Sequence, residues 1–174
     1  MTEELKNIIR RIDSDPSRHE ELLIYYLDLT SLGDLNRIKS ELNDIRTAFE
    51  SFPPEISRPY LAMMEGIYFY FISSGRQAEA RFKSVLPPNY NWNNQSIEGT
   101  VHVLLGGAYR SLGELDKCIY HQNLGKKLIT ENGGLANFLV FCYYNLSEVY
   151  IQINEPEQAK NCLIEGLNVL SDKV

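Results

Sequence analysis

The sequence predicts an all-α fold, a right-handed solenoid of about four helical hairpins, and three observations support this prediction. The small residues Gly66, Gly106 and Ser147 stand 40 and 41 residues apart. Each is followed by an aromatic residue three positions later and by a small residue twelve positions later. Valine and threonine never alternate over a run, as they do in strands. A period of 20 to 50 residues carried by helical patterns is typical of stacked helical hairpins.

The first part of the chain predicts a short helix over about residues 2–12 and then a hairpin unit over about 17–53. Pro16 suits the first turn of a helix, where its missing N–H has no partner to lose. Gly33 is expected to end the first helix of the hairpin, and Asp34 to cap the second. The second helix has apolar residues at spacings of 3 and 4, which give one apolar face: Leu35, Ile38, Leu42, Ile45 and Phe49.

The second unit, about residues 57–92, is interrupted. Pro87 and Pro88 remove two backbone donors and disfavour a helical conformation for the residue before each. Its second helix should therefore end by about Leu86. Residues 89–94, which hold the only tryptophan, are expected to be irregular and to form a surface loop.

The third and fourth units cover about residues 95–132 and 135–172. Gly106 should be buried where two helices cross, whereas Gly134 should lie in a loop. The last helix stays apolar as far as Leu170 and lacks the polar outer face of a terminal repeat. This predicts either that the chain is one segment of a larger protein or that it forms a homodimer through its C-terminal end.

The amino-acid composition limits the kinds of partner that are expected. The chain has 17 basic and 23 acidic residues and a net charge of −6. Nucleic acids and anionic membrane surfaces both require a clustered basic face, so neither is expected as a partner. The charged N-terminus lacks the apolar core of a secretory signal, and no apolar run is long enough to cross a bilayer. A cytoplasmic location is expected.

The sequence does not predict a catalytic or metal site, and no cofactor is expected. The three cysteines are far apart and none has the CxxC spacing of a metal site. His121 follows Cys118 by three residues, but a nucleophilic pair also needs a group that orients the base or lowers the thiol pKa. Gly106 and Gly107 lie within a helical pattern, so they do not form a phosphate-binding loop.

Two units resemble a known family. The third reads LGGAYRSLG over residues 105–113, and the fourth reads LSEVY over residues 146–150. These segments resemble tetratricopeptide repeats, in the longer form of about 40 residues found in bacterial signalling proteins such as regulators, peptide receptors and the sensory halves of nucleotide cyclases. The resemblance implies a non-catalytic scaffold that binds a protein or peptide. His102 stands where the family has an aromatic residue, so a packing role is expected for it.

In such solenoids the first helix of each hairpin lines the concave face. Projecting the repeat onto those helices gives the candidate groove residues: Tyr60, Met63, Ile67, Tyr70, Val103, Arg110, Tyr144, Asn145 and Glu148. Aromatic, methionine and arginine side chains are enriched in interface centres. The expected partner is an apolar protein segment with a local carboxylate. Two alternatives remain open. Neighbouring helices or a second copy cover these residues, or the domain is a small-molecule sensor or enzyme with a pocket near Trp92 and the second unit.

Overall fold

The described part of the chain, residues 1–15, 18–31, 34–133 and 136–171 of a computed structural model, consists of α-helices and their connections. The prediction of an all-α fold is confirmed. The boundary roles predicted for Pro16, Gly33 and Gly134 fall outside the described residues. The helices are α1 (Glu3–Ser14), α2 (His19–Ser31), α3 (Leu35–Phe49), α4 (Pro54–Phe71), α5 (Gly75–Ser84), α6 (Gln95–Ser111), α7 (Leu115–Asn132), α8 (Ala136–Gln152) and α9 (Pro156–Ser171).

The helices pack mainly against their neighbours in sequence. Three pairs have the most extensive contacts: α4 with α5, α6 with α7, and α8 with α9. In addition, α4 contacts α2 and α6, and α6 contacts α8. The helices α4, α6 and α8 therefore lie side by side, and residues on them can form one surface. A single hydrophobic core extends from Leu5 in α1 to Val149 in α8.

The three turns inside these pairs share one backbone geometry. Their central residues, Ser73, Gly113 and Asn154, have left-handed φ angles of 59°, 73° and 62°. In each turn the next amide donates to the carbonyl five residues earlier: Ser74 to Phe69 at 2.8 Å, Glu114 to Tyr109 at 2.9 Å and Glu155 to Tyr150 at 2.8 Å. This is the Schellman arrangement that ends helices. The turns repeat with the same 40- and 41-residue spacing as the small residues.

The small residues of the repeat lie where helices cross. Gly106 is buried, as predicted, and a Cβ atom there would lie 2.7 Å from the Gln122 amide nitrogen. Gly66 has the equivalent relation to Phe82, whose ring would lie 2.6 Å from such an atom. In both cases the missing side chain lets the two helices of a pair approach each other closely.

The second pair begins and ends differently from the others. Helix α4 begins at Pro54, three residues earlier than predicted, because proline is tolerated in the first turn. Helix α5 ends at Ser84, and the irregular segment that follows confirms the prediction from Pro87 and Pro88. Trp92 in that segment is buried rather than at the surface, and its indole N–H donates to the carbonyl of Val85 at 2.7 Å.

Candidate functional site

Arg110 connects the third and fourth hairpins at the surface of the molecule. Its Nε donates to the Asn145 Oδ1 at 2.9 Å, so that a hydrogen bond fixes the side chain of α6 against α8. The guanidinium carbon lies 5.6 Å from the centre of the Tyr144 ring, within the range of a cation–π interaction. One terminal nitrogen lies 4.0 Å from a Glu148 carboxylate oxygen. These three contacts hold the guanidinium in one orientation, and 21% of the Arg110 side chain is exposed.

Asn145 lies beneath Arg110 and is completely buried. Only one of the two polar atoms of its side-chain amide has a hydrogen-bond partner. Its oxygen accepts from Arg110, whereas its Nδ2 has no hydrogen-bond partner among the described residues. This nitrogen lies 3.5 Å from the position that a Cβ atom would occupy at Gly107. The rings of Tyr70 and Phe141 lie 3.4 Å from the same position. Gly107 thus leaves a space of about one methyl group, bounded by two aromatic rings and a free amide donor.

Aromatic rings flank this space. Tyr70 on α4 and Phe141 on α8 are half-buried and meet edge to face, with ring centres 6.0 Å apart. Sequence reasoning missed Phe141, although the repeat contains a signal for it, since Phe141 stands two periods after Tyr60. We call this region the Arg110 surface. It comprises Tyr70, Arg110, Phe141, Tyr144 and Glu148, with Gly107 and Asn145 beneath them.

The other predicted groove residues lie elsewhere. Met63, Ile67 and Val103 have no exposed area, and so they belong to the core rather than to a groove. Val103 packs within its own hairpin, because its Cγ2 would be 2.7 Å from a Cβ atom at Gly125 of α7. Tyr60 is half-buried. Its ring packs edge to face against the ring of Trp92, and the two ring centres are 5.3 Å apart. The projection did not distinguish the covered faces of these helices from their open faces.

A second concave region lies near the second unit. An open cleft of about 460 Å³ separates the start of α4 from the segment after α5. Glu55 and Arg58 line one side, and Val85, Asn89 and Tyr90 line the other. The cleft contains both charges and apolar surface, but Trp92 is not among the residues that line it.

The two histidines of α6 and α7 form a pair that sequence reasoning did not find. The Nδ1 atoms of His102 and His121 are 2.9 Å apart, and the rings are stacked. Burial is the main reason that the pKa of each imidazole is lowered to about 4, and for His102 the neighbouring His121 contributes to this shift. His121 also stacks on Tyr109. Burial raises the pKa of the Cys118 thiol to about 11, so this sulfur is a protonated, packed group at neutral pH.

The described residues also bear on metal binding and membrane insertion. Within them, no cluster of three or more histidine, cysteine, aspartate or glutamate side chains is arranged to bind a metal ion. None of the helices described has the length and apolar character required to cross a membrane.

No family model, curated protein or solved structure matches this chain.

Proposed function

We propose that this chain is a non-catalytic scaffold that binds an extended segment of another protein at the Arg110 surface. The observation that carries the proposal is the half-satisfied Asn145 beneath an oriented Arg110. A buried amide donor without a partner costs free energy, roughly 1–3 kcal/mol, which a ligand that accepts from it recovers. Such a group, buried beside the methyl-sized space at Gly107, is a reason to expect a ligand.

The proposal includes a solenoid of tetratricopeptide-like hairpins. Three helix pairs with the same turn geometry at spacings of 40 and 41 residues support it. The buried glycines at the helix crossings and the contacts of α4 with α6 and of α6 with α8 also support it. Repeats of this kind present an extended surface made from successive first helices. The Arg110 surface lies on three such helices, and a larger bacterial signalling or regulatory protein is a fitting context.

The chemistry of the surface specifies the ligand. The Asn145 amide can donate to a main-chain carbonyl that lies over Gly107, between the rings of Tyr70 and Phe141. The outer N–H groups of Arg110 can then donate to a carboxylate on a neighbouring ligand residue. Glu148 near Arg110 adds specificity, because a ligand carboxylate must compete with it. The preferred ligand is therefore an extended segment with apolar residues beside an aspartate or glutamate.

Selection from a phage-displayed random peptide library, followed by fluorescence-polarisation titration of the selected peptides, tests the proposal. We expect the peptides to share an acidic residue next to apolar residues. Gly107→Ala and Arg110→Gln should each weaken binding by about tenfold or more, since the first fills the space over Asn145 and the second removes the charge. Both should melt within a few degrees of the parent protein.

Arg58→Ala is the matched control, because it removes an arginine on α4 outside the Arg110 surface. Its affinity for the peptides should equal that of the parent protein. If no peptides are selected, or if Gly107→Ala binds them as tightly as the parent protein, the proposal is wrong.

The cleft at the start of α4 supports a second candidate function, the sensing of a small molecule. Its volume of about 460 Å³ lies in the range of ligand sites, and Glu55 and Arg58 provide polar contacts. A thermal-shift screen with a metabolite library distinguishes the two functions. A metabolite that raises the melting temperature of the parent protein but not that of Arg58→Ala would favour the cleft.

A further inference from the structure

Helix α9 carries an exposed apolar ridge. Leu163, Leu167 and Leu170 have 48%, 64% and 45% of their area exposed. Their spacings of 4 and 3 place them in one line along the helix, as in the seam between two paired helices. Of the residues of α9, only Ala159 and Gly166 are buried. Water therefore covers a line of leucines for which a packed neighbour would be favourable.

The ridge borders a groove of about 330 Å³ between α8 and α9. Gly166 lines it at a point where the two helices lie close together, since a Cβ atom there would lie 3.3 Å from the Cβ of Tyr143 on α8. The floor and walls are apolar and include Val140 and Cys162. Tyr144 lies at the edge that the groove shares with the Arg110 surface.

The preceding pairs indicate the shape of the missing neighbour. Helix α6 packs on the pair formed by α4 and α5, and α8 packs on the pair formed by α6 and α7. Among the described residues, no further helix packs on the pair formed by α8 and α9. An α-helix is therefore the element that fits the groove.

We propose that this helix is α9 of a second copy of the chain. The ridge on α9 forms one wall of the groove, and α8 forms the other, so a two-fold axis beside α9 can place the ridge of each copy in the groove of its partner. Such a self-complementary patch is the requirement for a symmetric dimer. If the axis is perpendicular to the helices, the two α9 helices run antiparallel and their helix dipoles oppose each other.

The size of the patch agrees with a weak, specific dimer. The three leucines and Tyr144, each about half exposed, present roughly 300 Å² per copy. Patches of this size on single chains are often functional. Two such patches contribute roughly 600 Å², and a polar rim of roughly 200 Å² on each copy brings the buried total to roughly 1,000 Å², at the lower end of specific interfaces. A dissociation constant in the micromolar range is expected.

Sedimentation equilibrium over about 1–500 µM protein tests the dimer. As the protein concentration increases, the average molecular mass of the parent protein should rise from that of one chain to that of two chains. Leu167→Asp should weaken dimerisation by at least about tenfold, because it places a charge in the ridge. Ile151→Asp is the matched control: Ile151 is 59% exposed on α8 and does not line the groove, so this variant should dimerise normally.

Thiol reactivity gives a second measurement. Cys118 and Cys142 are buried, whereas Cys162 is half-buried in the groove. Its reaction with an aromatic disulfide reagent should slow by at least about threefold as the concentration passes through the dimerisation range, and Leu167→Asp should remove this dependence. A single-chain mass at all concentrations would overturn the proposal, even if the groove bound a helical peptide. A dimer that persists in Leu167→Asp and dissociates in Ile151→Asp would also overturn it.

Discussion

Replacing Gly125 by alanine tests the close approach of α6 and α7. A Cβ atom at Gly125 would lie 2.6 Å from the carbonyl oxygen of Gly99 and 2.7 Å from Cγ2 of Val103. Ordinary contacts begin at 3.4 Å. The oxygen belongs to the backbone of α6 and cannot rotate away as a side chain could. The two helices must therefore move apart by most of an ångström, and the packing along both must adjust.

We expect Gly125→Ala to lower the free energy of unfolding by about 1–2 kcal/mol. Overpacking in a well-packed core typically costs about 1–3 kcal/mol, and a backbone clash belongs at the upper end of that range. Alanine in place of glycine within a helix returns about 0.5–1 kcal/mol. For a chain of this length the net loss lowers the melting temperature by roughly 2–8 °C.

Gly107→Ala on α6 is the control, since the new atom would lie at ordinary contact distances of 3.4–3.5 Å. It should leave stability unchanged or raise it by up to about 1 kcal/mol. Urea titrations followed by far-UV circular dichroism and by the fluorescence of Trp92, which is buried when folded, measure both variants. Equal stability of the two variants would refute the close approach that we describe.

Three further predictions concern stability and are measured by the same titrations. Ser73→Gly should raise stability by about 0.5–1 kcal/mol, because Ser73 has the left-handed φ of 59° that glycine adopts freely at the equivalent Gly113. Gly106→Leu should cost about 1–3 kcal/mol or more, because its side chain must displace a buried glutamine of α7. The pair of His102 and His121 predicts that the folded protein is less stable in acid. The pKa values of the two imidazoles are about 4 in the folded chain and ordinarily 6.5, so the unfolded chain binds more protons between pH 4 and pH 6.5. The stability present above pH 6.5 should fall by about 1–3 kcal/mol as the pH approaches 4, and a variant with phenylalanine at both positions should lose less.

The sequence predicted the features that depend on local chemistry. The interruption after α5 follows from Pro87 and Pro88, which cannot continue a helix. The burial of Gly106 follows from the repeat, because a residue that recurs as small every period must face a neighbour. Asp34 caps α3 as predicted, with its side chain accepting from the amides of Asn36 and Arg37.

The sequence did not predict the features that depend on how helices are placed against one another. Met63 and Val103 lie in the core and not in the predicted groove, because a helical projection gives the direction of a side chain but not what covers it. The pair of His102 and His121 joins two helices, so its existence depends on their register. Phe141 could have been included, since it has the same position in the repeat as Tyr60, but its role depends on the contact with Tyr70.

Replacing Tyr144 links the two proposals, because this residue contributes to both surfaces. Its ring lies against the Arg110 guanidinium and also forms the edge of the groove between α8 and α9. Tyr144→Ala should therefore weaken both peptide binding and dimerisation, whereas Arg110→Gln should affect only the first and Leu167→Asp only the second. Tyr144 is 46% exposed, so the loss of stability should be small, about 1 kcal/mol or less. Titrations of peptide at protein concentrations below and above the dimerisation range measure both effects in each variant. If Tyr144→Ala changed neither process while the other two variants behaved as expected, the surfaces would be independent, and the ring would not belong to either.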